Sequence, residues 1–230
     1  MRLSGAAAVR PWAGLTAPNK AWALACLSME YFCYCRGRPG TQALVEEWAE
    51  AHWAFMDRYA AAMIARGPTL TPDRTTWTGS MHLVDLPDAQ AARVFAFQEP
   101  FWRAGVYGQV LLRRWRNVLG RTMWDYPAAL GDERRFLVIG LGRPGVEAAR
   151  QALGAAQRRW LGAPGHREGV ILCGPLLADD GVGWVGSALL VQLGDRGAVE
   201  ALLAGAPYVR AGLYASVEVH DWQFGGRHQS

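Results

Sequence analysis

The chain is built from one unit written twice. Shifted by 107 positions, residues 67–115 match residues 174–222 at 19 of 49 places without a gap. Chance at ordinary residue frequencies gives about three or four. Gly67-Pro68 meets Gly174-Pro175, Gly79-Ser80 meets Gly186-Ser187, and Arg103-Ala104-Gly105 meets Arg210-Ala211-Gly212. Trp77, Tyr107 and Trp115 meet Trp184, Tyr214 and Trp222. Upstream, Arg38-Pro39-Gly40 meets Arg143-Pro144-Gly145 at a shift of 105, so the second copy carries two extra residues between. Such a period divides the chain into repeated supersecondary units. The expected layout is an N-terminal extension 1–27, a first copy 28–116, a linker 117–134, a second copy 135–223 and a tail 224–230.

Each copy reads as β-α-β-β-α-β. In the first, Tyr31–Arg36 is strand-like, and Thr41 is placed to cap a helix over Gln42–Ile64. Gly67-Pro68 is expected to break the chain. Gly79–Leu86 alternates as a strand, Asp88 caps a short helix to Phe97, and Tyr107–Trp115 is the last strand. The second copy repeats this through Phe136–Leu141, Val146–Leu161, Val170–Leu176, Ser187–Leu193, Ala198–Ala204 and Leu213–Trp222. This order is the ferredoxin-like arrangement. Helices cover one face of such a sheet, and the other must also be buried. A fused second copy can bury it within one chain. The fold class is therefore α+β, two tandem ferredoxin-like units forming one intramolecular barrel. A cavity is expected between each sheet and its own helices, or at the sheet–sheet seam.

Composition narrows the function. Hydrophobic residues make up 51% and charged residues 19%, a globular balance. The net charge of +4 comes from scattered Arg without the clustering that nucleic acid requires. Arg113, Arg114 and Arg116 form the densest group and read as a solvated strand end. No apolar run reaches the roughly 18 residues of a membrane span. Residues 21–27 superficially look like a signal peptide, but the run is short and lacks a clean cleavage site. Cys33 and Cys35 share one strand face, no Cys/His set has zinc spacing, and Cys26, Cys33, Cys35 and Cys173 read as reduced thiols in a cytoplasmic protein. Eleven Trp stand out; they serve core packing or line a pocket for a flat ligand.

Specific motifs sharpen this. The second copy carries Gly174-Pro175-Leu176-Leu177-Ala178-Asp179-Asp180-Gly181, then Gly186-Ser187, Ala206-Pro207-Tyr208-Val209-Arg210-Ala211-Gly212-Leu213 and Val217-Glu218-Val219. These segments resemble the YCII-related family of the dimeric α+β barrel superfamily. The resemblance implies an active site made of a His on the first helix and an Asp in an Asp-Pro-Tyr turn. In copy one, His52 stands at the His position and the turn reads Glu99-Pro100-Phe101. In copy two the His position falls on Gln157 or Arg159, and Ala206 replaces the Asp. The pair survives only in copy one, as His52 with Glu99.

Helical spacing agrees. Leu44, Trp48, Phe55, Tyr59 and Met63 recur with His52 on one apolar face. A carboxylate partner stabilises the imidazolium that forms when such a His takes a proton; the plainer alternative is a core His bonded to a backbone carbonyl. His82, whose counterpart is Leu189, is a second candidate. Asp73 and Asp180 sit in loops, where carboxylates more often form turns. Trp77, Trp184, Trp102, Trp53, Tyr107 and Tyr214 are candidate pocket walls, with core packing as the equal alternative. His166 and His220 read as surface residues. Gly140-Leu141-Gly142-Arg143-Pro144-Gly145 fits a dinucleotide fingerprint only by coincidence, since that motif needs a following parallel strand.

The resemblance implies metal-free isomerases, dehydrochlorinases or oxygenases. Several fused two-copy members are tailoring oxygenases of aromatic polyketides, as in antibiotic biosynthesis. On that footing the expectation is an oxygenase with His52 as base acting on a hydrophobic aromatic small molecule. No bound cofactor is expected; molecular oxygen would be co-substrate, and a reduced flavin could serve as a diffusible one. An isomerase or dehydrochlorinase-type lyase could use the same His. A non-catalytic binding module is the third reading, and a homodimer of whole chains stays open.

Overall fold

The structure, a computed structural model, describes residues 29–127 and 134–226. The expected N-terminal extension, with Cys26, lies outside the described residues. Copy one runs β1 (Met29–Gly37), α1 (Gln42–Asp57), β2 (Met63–Leu70), β3 (Trp77–Leu86), α2 (Ala89–Phe97), a short α3 (Pro100–Arg103) and β4 (Tyr107–Trp115). Copy two runs β5 (Arg134–Gly142), α4 (Glu147–Gly162), α5 (Pro164–Arg167), β6 (Val170–Leu177), β7 (Trp184–Leu193), α6 (Arg196–Gly205), α7 (Pro207–Arg210) and β8 (Tyr214–Trp222). The eight strands close an antiparallel barrel in the order β1-β3-β2-β8-β5-β7-β6-β4. Two ferredoxin-like units thus complete one another inside a single chain.

Closure explains why the central strands are apolar on both faces. In β1, Phe32 and Tyr34 join the barrel interior, while Tyr31, Cys33 and Cys35 pack against the copy-one helices. Both sets are buried, so the segment reads as a continuous apolar run. The interior packs solid, with no room for a water among Phe32, Met81, Trp115, Leu137 and Leu172. Of the two locations expected for a cavity, the layer between sheet and helices supplies one in each copy among the described residues.

The copies join at two short seams. Thr69 and Leu70 of β2 pair with Trp222 and Asp221 of β8, and Arg114 and Trp115 of β4 pair with Leu177 and Leu176 of β6. Beyond each seam, the segment leaving one copy crosses the Gly-Pro step of the other. Gly225 N donates to Arg66 O at 2.9 Å, and Val118 N donates to Cys173 O at 3.1 Å in the symmetric place. The approach is close enough to demand glycine: a Cβ on Gly67 would lie 1.9 Å from Gln223 O, and one on Gly174 would lie 1.9 Å from Arg116 O.

Several sequence expectations need correction. The first helix ends at Asp57, not Ile64, and Gly67-Pro68 lies inside β2 instead of breaking the chain. The apolar run Met63-Ile64-Ala65 continues the helical spacing, but pairing with β3 captures it as a strand. Pro68 is tolerated because β8 pairs only with the next two residues, Thr69 and Leu70. Thr41 does not cap α1 with its side chain; its hydroxyl donates to Arg38 O at 2.7 Å. Asp88 does cap α2, accepting from Ala91 N at 2.7 Å. His220 is half-buried at the β2–β8 seam, not on the surface, with Nδ1 3.4 Å from Tyr34 Oη and Nε2 2.9 Å from Glu218. β5 is antiparallel to both its neighbours, so the parallel strand that a dinucleotide fingerprint needs is not present there.

Candidate active site

The site lies between α1 and the outer face of the copy-one sheet. α1 buries His52, Phe55 and Met56 on one stripe. α3 begins at Pro100, whose fixed φ suits a first helical turn. Glu99 is therefore its N-cap, and Oε2 accepts from Trp102 N at 3.0 Å. The other oxygen bonds His52 Nδ1. One carboxylate thus caps a helix and orients an imidazole, and both groups are buried, at 2% and 8% exposure. Phe101 stacks on the His52 ring at 4.3 Å with an interplanar angle of 2°. The ring is held from its edge and from its face. Because the carboxylate accepts at Nδ1, the neutral imidazole carries its lone pair on Nε2.

A solvent-open cavity of about 210 Å³ adjoins this ring. Met56, Trp77 and Phe101 give it apolar walls; Ser80, His82 and Arg66 add polar groups. Gly225 and Gly226, which follow β8, close one side, so copy two completes the copy-one site. His82 is buried, 6.1 Å from His52 between ring centres, and its Nδ1 has no hydrogen-bond partner. Burial pushes its pKa well below the ordinary 6.5, and the nearby His52 and Arg66 push the same way. Arg66 lies 3.6 Å from Asp57 through one nitrogen, and its buried Nε is unpartnered. Among the described residues, no group of three His, Cys, Asp or Glu is placed to hold a metal ion.

The remaining sequence candidates divide. Trp53 lines the cavity at 46% exposure, and Trp77 lines it from the sheet side. Tyr107 does not line it; it lies behind, 5.9 Å from Trp77 and 5.6 Å from Phe101. Trp102 does not line the cavity and packs edge-on against Phe97 at 5.1 Å. Asp73 is a turn former in the β2–β3 loop, accepting from Thr75 N at 3.1 Å, and takes no part in the site. Trp184 belongs to the equivalent cavity of copy two, and Tyr214 lies behind it as Tyr107 lies behind Trp77. Sequence reading passed over Arg66, Ser80 and Phe101. For Arg66 the signal was present: the copies differ there, Arg66 against Cys173, as they do at His52 against Gln157 and His82 against Leu189.

Copy two holds a cavity of about 220 Å³ at the equivalent place. Gln157 occupies the His52 position, while Arg159 is exposed. Its Oε1 accepts from Tyr208 N at 3.2 Å, reaching the short helix that Ala206 leaves without a side-chain cap. This cavity contains neither imidazole nor carboxylate.

The lowered pKa of His82 has a consequence for stability. The folded protein keeps this ring neutral while the unfolded chain protonates it below about pH 6.5. Stability therefore falls as pH drops below 6.5, by up to about 1.4 kcal/mol per pH unit, until the folded-state pKa is reached. His82→Leu, the copy-two residue, is expected to flatten that slope in urea titrations at pH 5, 6 and 7.5. An unchanged slope would assign the acid sensitivity elsewhere.

Comparison with known proteins follows the same lines. No curated protein matches the chain significantly. An anthrone oxidase-like protein shares the fold with a TM-score of 0.50 at 16% identity, covering 86% of this chain and 92% of that one. Chlorite dismutase from Candidatus Nitrospira defluvii, in complex with imidazole, aligns with a TM-score of 0.54 at 12% identity over 89% and 95%. The 5-chloro-2-hydroxyhydroquinone dehydrochlorinase from Burkholderia phenoliruptrix AC1100 is 25% identical, covering 40% of this chain and 99% of that one with a TM-score of 0.37. Among the described residues, no helix is long and apolar enough to cross a membrane. The YCII-related domain model matches residues 29–116 and again 134–223, and the chain belongs to that family as a tandem pair.

Proposed function

We propose that the protein is a small-molecule enzyme in which His52 deprotonates an electron-rich aromatic hydroxyl, and the resulting anion reacts with molecular oxygen. The observation that carries this reading is the imidazole locked by Glu99 with Nε2 left for the cavity. A base so oriented takes a proton, and the nearby carboxylate stabilises the imidazolium. Arg66 offers a cation where the substrate anion forms. The aromatic walls suit a flat ring. At about 210 Å³ the cavity suits one ring, and further rings of a polyketide-like substrate would lie against exposed Trp53 at the mouth.

The chemistry balances without a bound redox group. A hydroquinone anion passes one electron to O₂, and the radical pair recombines with a new C–O bond. The peroxide anion takes up the proton held by His52, and the resulting hydroperoxide loses water and leaves a hydroxylated quinone. Carbon–carbon cleavage from the same hydroperoxide is the ring-opening variant. A reduced flavin would be an alternative diffusible electron source. The likeness to an anthrone oxidase-like protein is one of fold, so the assignment rests on the site.

Two imidazoles in one cavity favour one competing reading. His82, 6.1 Å from His52 and held neutral, could relay the proton that His52 removes by accepting at one ring nitrogen while giving one up at the other, as an isomerase or a dehydrochlorinase-type elimination would require. An oxygen electrode separates the two. With 1,4-naphthohydroquinone or hydroxyhydroquinone as substrate, the enzyme is expected to consume one O₂ per turnover, well above spontaneous autoxidation. Equal turnover of substrate under argon would remove the oxygenase reading and leave proton transfer.

A further inference from the structure

We propose that the copy-two cavity is a non-catalytic binding site for an aromatic carboxylate. The two cavities are lined by equivalent positions, so their differences can be read residue by residue. Val45 of copy one becomes Arg150, and Trp53 becomes Arg158. His52 and His82 become Gln157 and Leu189. The proton-transfer groups have gone and two guanidinium groups have arrived on the same helix face.

The environment of Arg150 points to an anion. Its guanidinium carbon lies 5.8 Å from the centre of the Trp184 ring, and its Nε is buried without a hydrogen-bond partner. A desolvated N–H of this kind is unfavourable until an acceptor reaches it. Among the described residues, no carboxylate pairs with Arg150 or Arg158. No Asp or Glu lines the cavity either. Of the neutral polar groups, Gln157 Oε1 already accepts from Tyr208 N, and Ser187 Oγ accepts from Tyr214 Oη at 3.0 Å. Arg150 and Arg158, with Arg116, are the charged groups that line the cavity, and a guanidinium matches a carboxylate through two parallel hydrogen bonds.

The rest of the cavity selects a ring. Trp184 and Tyr208 meet edge to face at 5.9 Å and supply aromatic wall. A volume of about 220 Å³ is below the ~300–1,000 Å³ of sites for drug-sized ligands, and fits one ring with its carboxylate. With no base facing it, such a molecule is bound and not turned over.

Isothermal titration of the full chain with benzoate and with neutral benzamide tests this. Benzoate is expected to bind at one site at least about tenfold more tightly than benzamide, as loss of a charge-assisted bond implies. Arg150→Val, which installs the copy-one residue, should weaken benzoate by about tenfold or more and erase the preference over benzamide. Arg158→Trp, on the exposed rim, gives a second reading should Arg150→Val fail to fold; it should weaken benzoate in the same direction. His52→Gln should leave benzoate binding unchanged, which keeps this outcome separate from the copy-one chemistry. Equal binding of the two probes, full affinity in both Arg variants, or loss of binding in His52→Gln would overturn the proposal.

Discussion

Replacing His52 with Gln is expected to lower turnover by about 10²–10⁴-fold, the usual contribution of a positioned general base. Gln is the informative replacement because the protein already uses it. Gln157 sits at the equivalent place in copy two and accepts from Tyr208 N at 3.2 Å. A Gln at position 52 can accept from Phe101 N in the same way, and its amide can donate to Glu99 in place of the imidazole. The buried carboxylate keeps a donor, so the helix cap at Trp102 survives and the thermal midpoint should move little. Loss of rate with an intact fold would isolate the proton transfer. Activity within about threefold of the parent, a change far smaller than base removal gives, would mean that His52 is a core residue held by a carboxylate and that the chemistry lies elsewhere. Combining it with Glu99→Ala copies the Gln157–Ala206 pair of copy two, and that variant is expected to fold and remain inactive.

The largest structural effect is expected from Gly67→Ala or Gly174→Ala. Each methyl would lie 1.9 Å from a backbone oxygen, Gln223 O in one case and Arg116 O in the other. Backbone cannot swing aside as a side chain can, so the exit segment must lift off the Gly-Pro step. Each seam contains only two residue pairs. Lifting the segment strains that pairing and the bonds from Gly225 N to Arg66 O and from Val118 N to Cys173 O. Overpacking of this kind costs about 3 kcal/mol or more, a fall in midpoint of roughly 10 °C for a chain of this size. The two variants should be equally destabilised. Only Gly67→Ala should also impair turnover per folded molecule, because Gly67 and Gly225 line the His52 cavity. Wild-type midpoints in chemical denaturation would mean that the copies do not close on one another as described.

Much of the fold was legible because the chain states it twice. The order of elements, the Asp88 cap and the boundaries of β4 follow from local pattern. Where local pattern misled, the repeat held the correction: Met63–Leu70 aligns with Val170–Leu177, which reads plainly as a strand. Helical spacing extends through Met63, Ile64 and Ala65 because their apolar side chains are compatible with either period. Pocket walls were harder. Trp53 and Trp102 each lie close in sequence to one member of the His52–Glu99 pair, yet one faces the cavity and the other packs on Phe97. The two stand on different helices, α1 and α3, and how those helices pack on the sheet is not encoded in the periodicity of either.

The sequence alone determined the duplicated α+β unit, the need for a second sheet to bury the first, and the survival of an imidazole–carboxylate pair in one copy. Those follow from patterns of side chains along the chain. Tertiary structure decided that the barrel interior is solid and the cavities lie outside it, under the helices. It also decided that the tail of copy two closes the copy-one site, and that Arg66, His82 and Phe101 gather around His52. Such facts depend on which surfaces meet when the barrel closes, and residues 159 positions apart, as Gly67 and Gly226 are, acquire a shared environment only then.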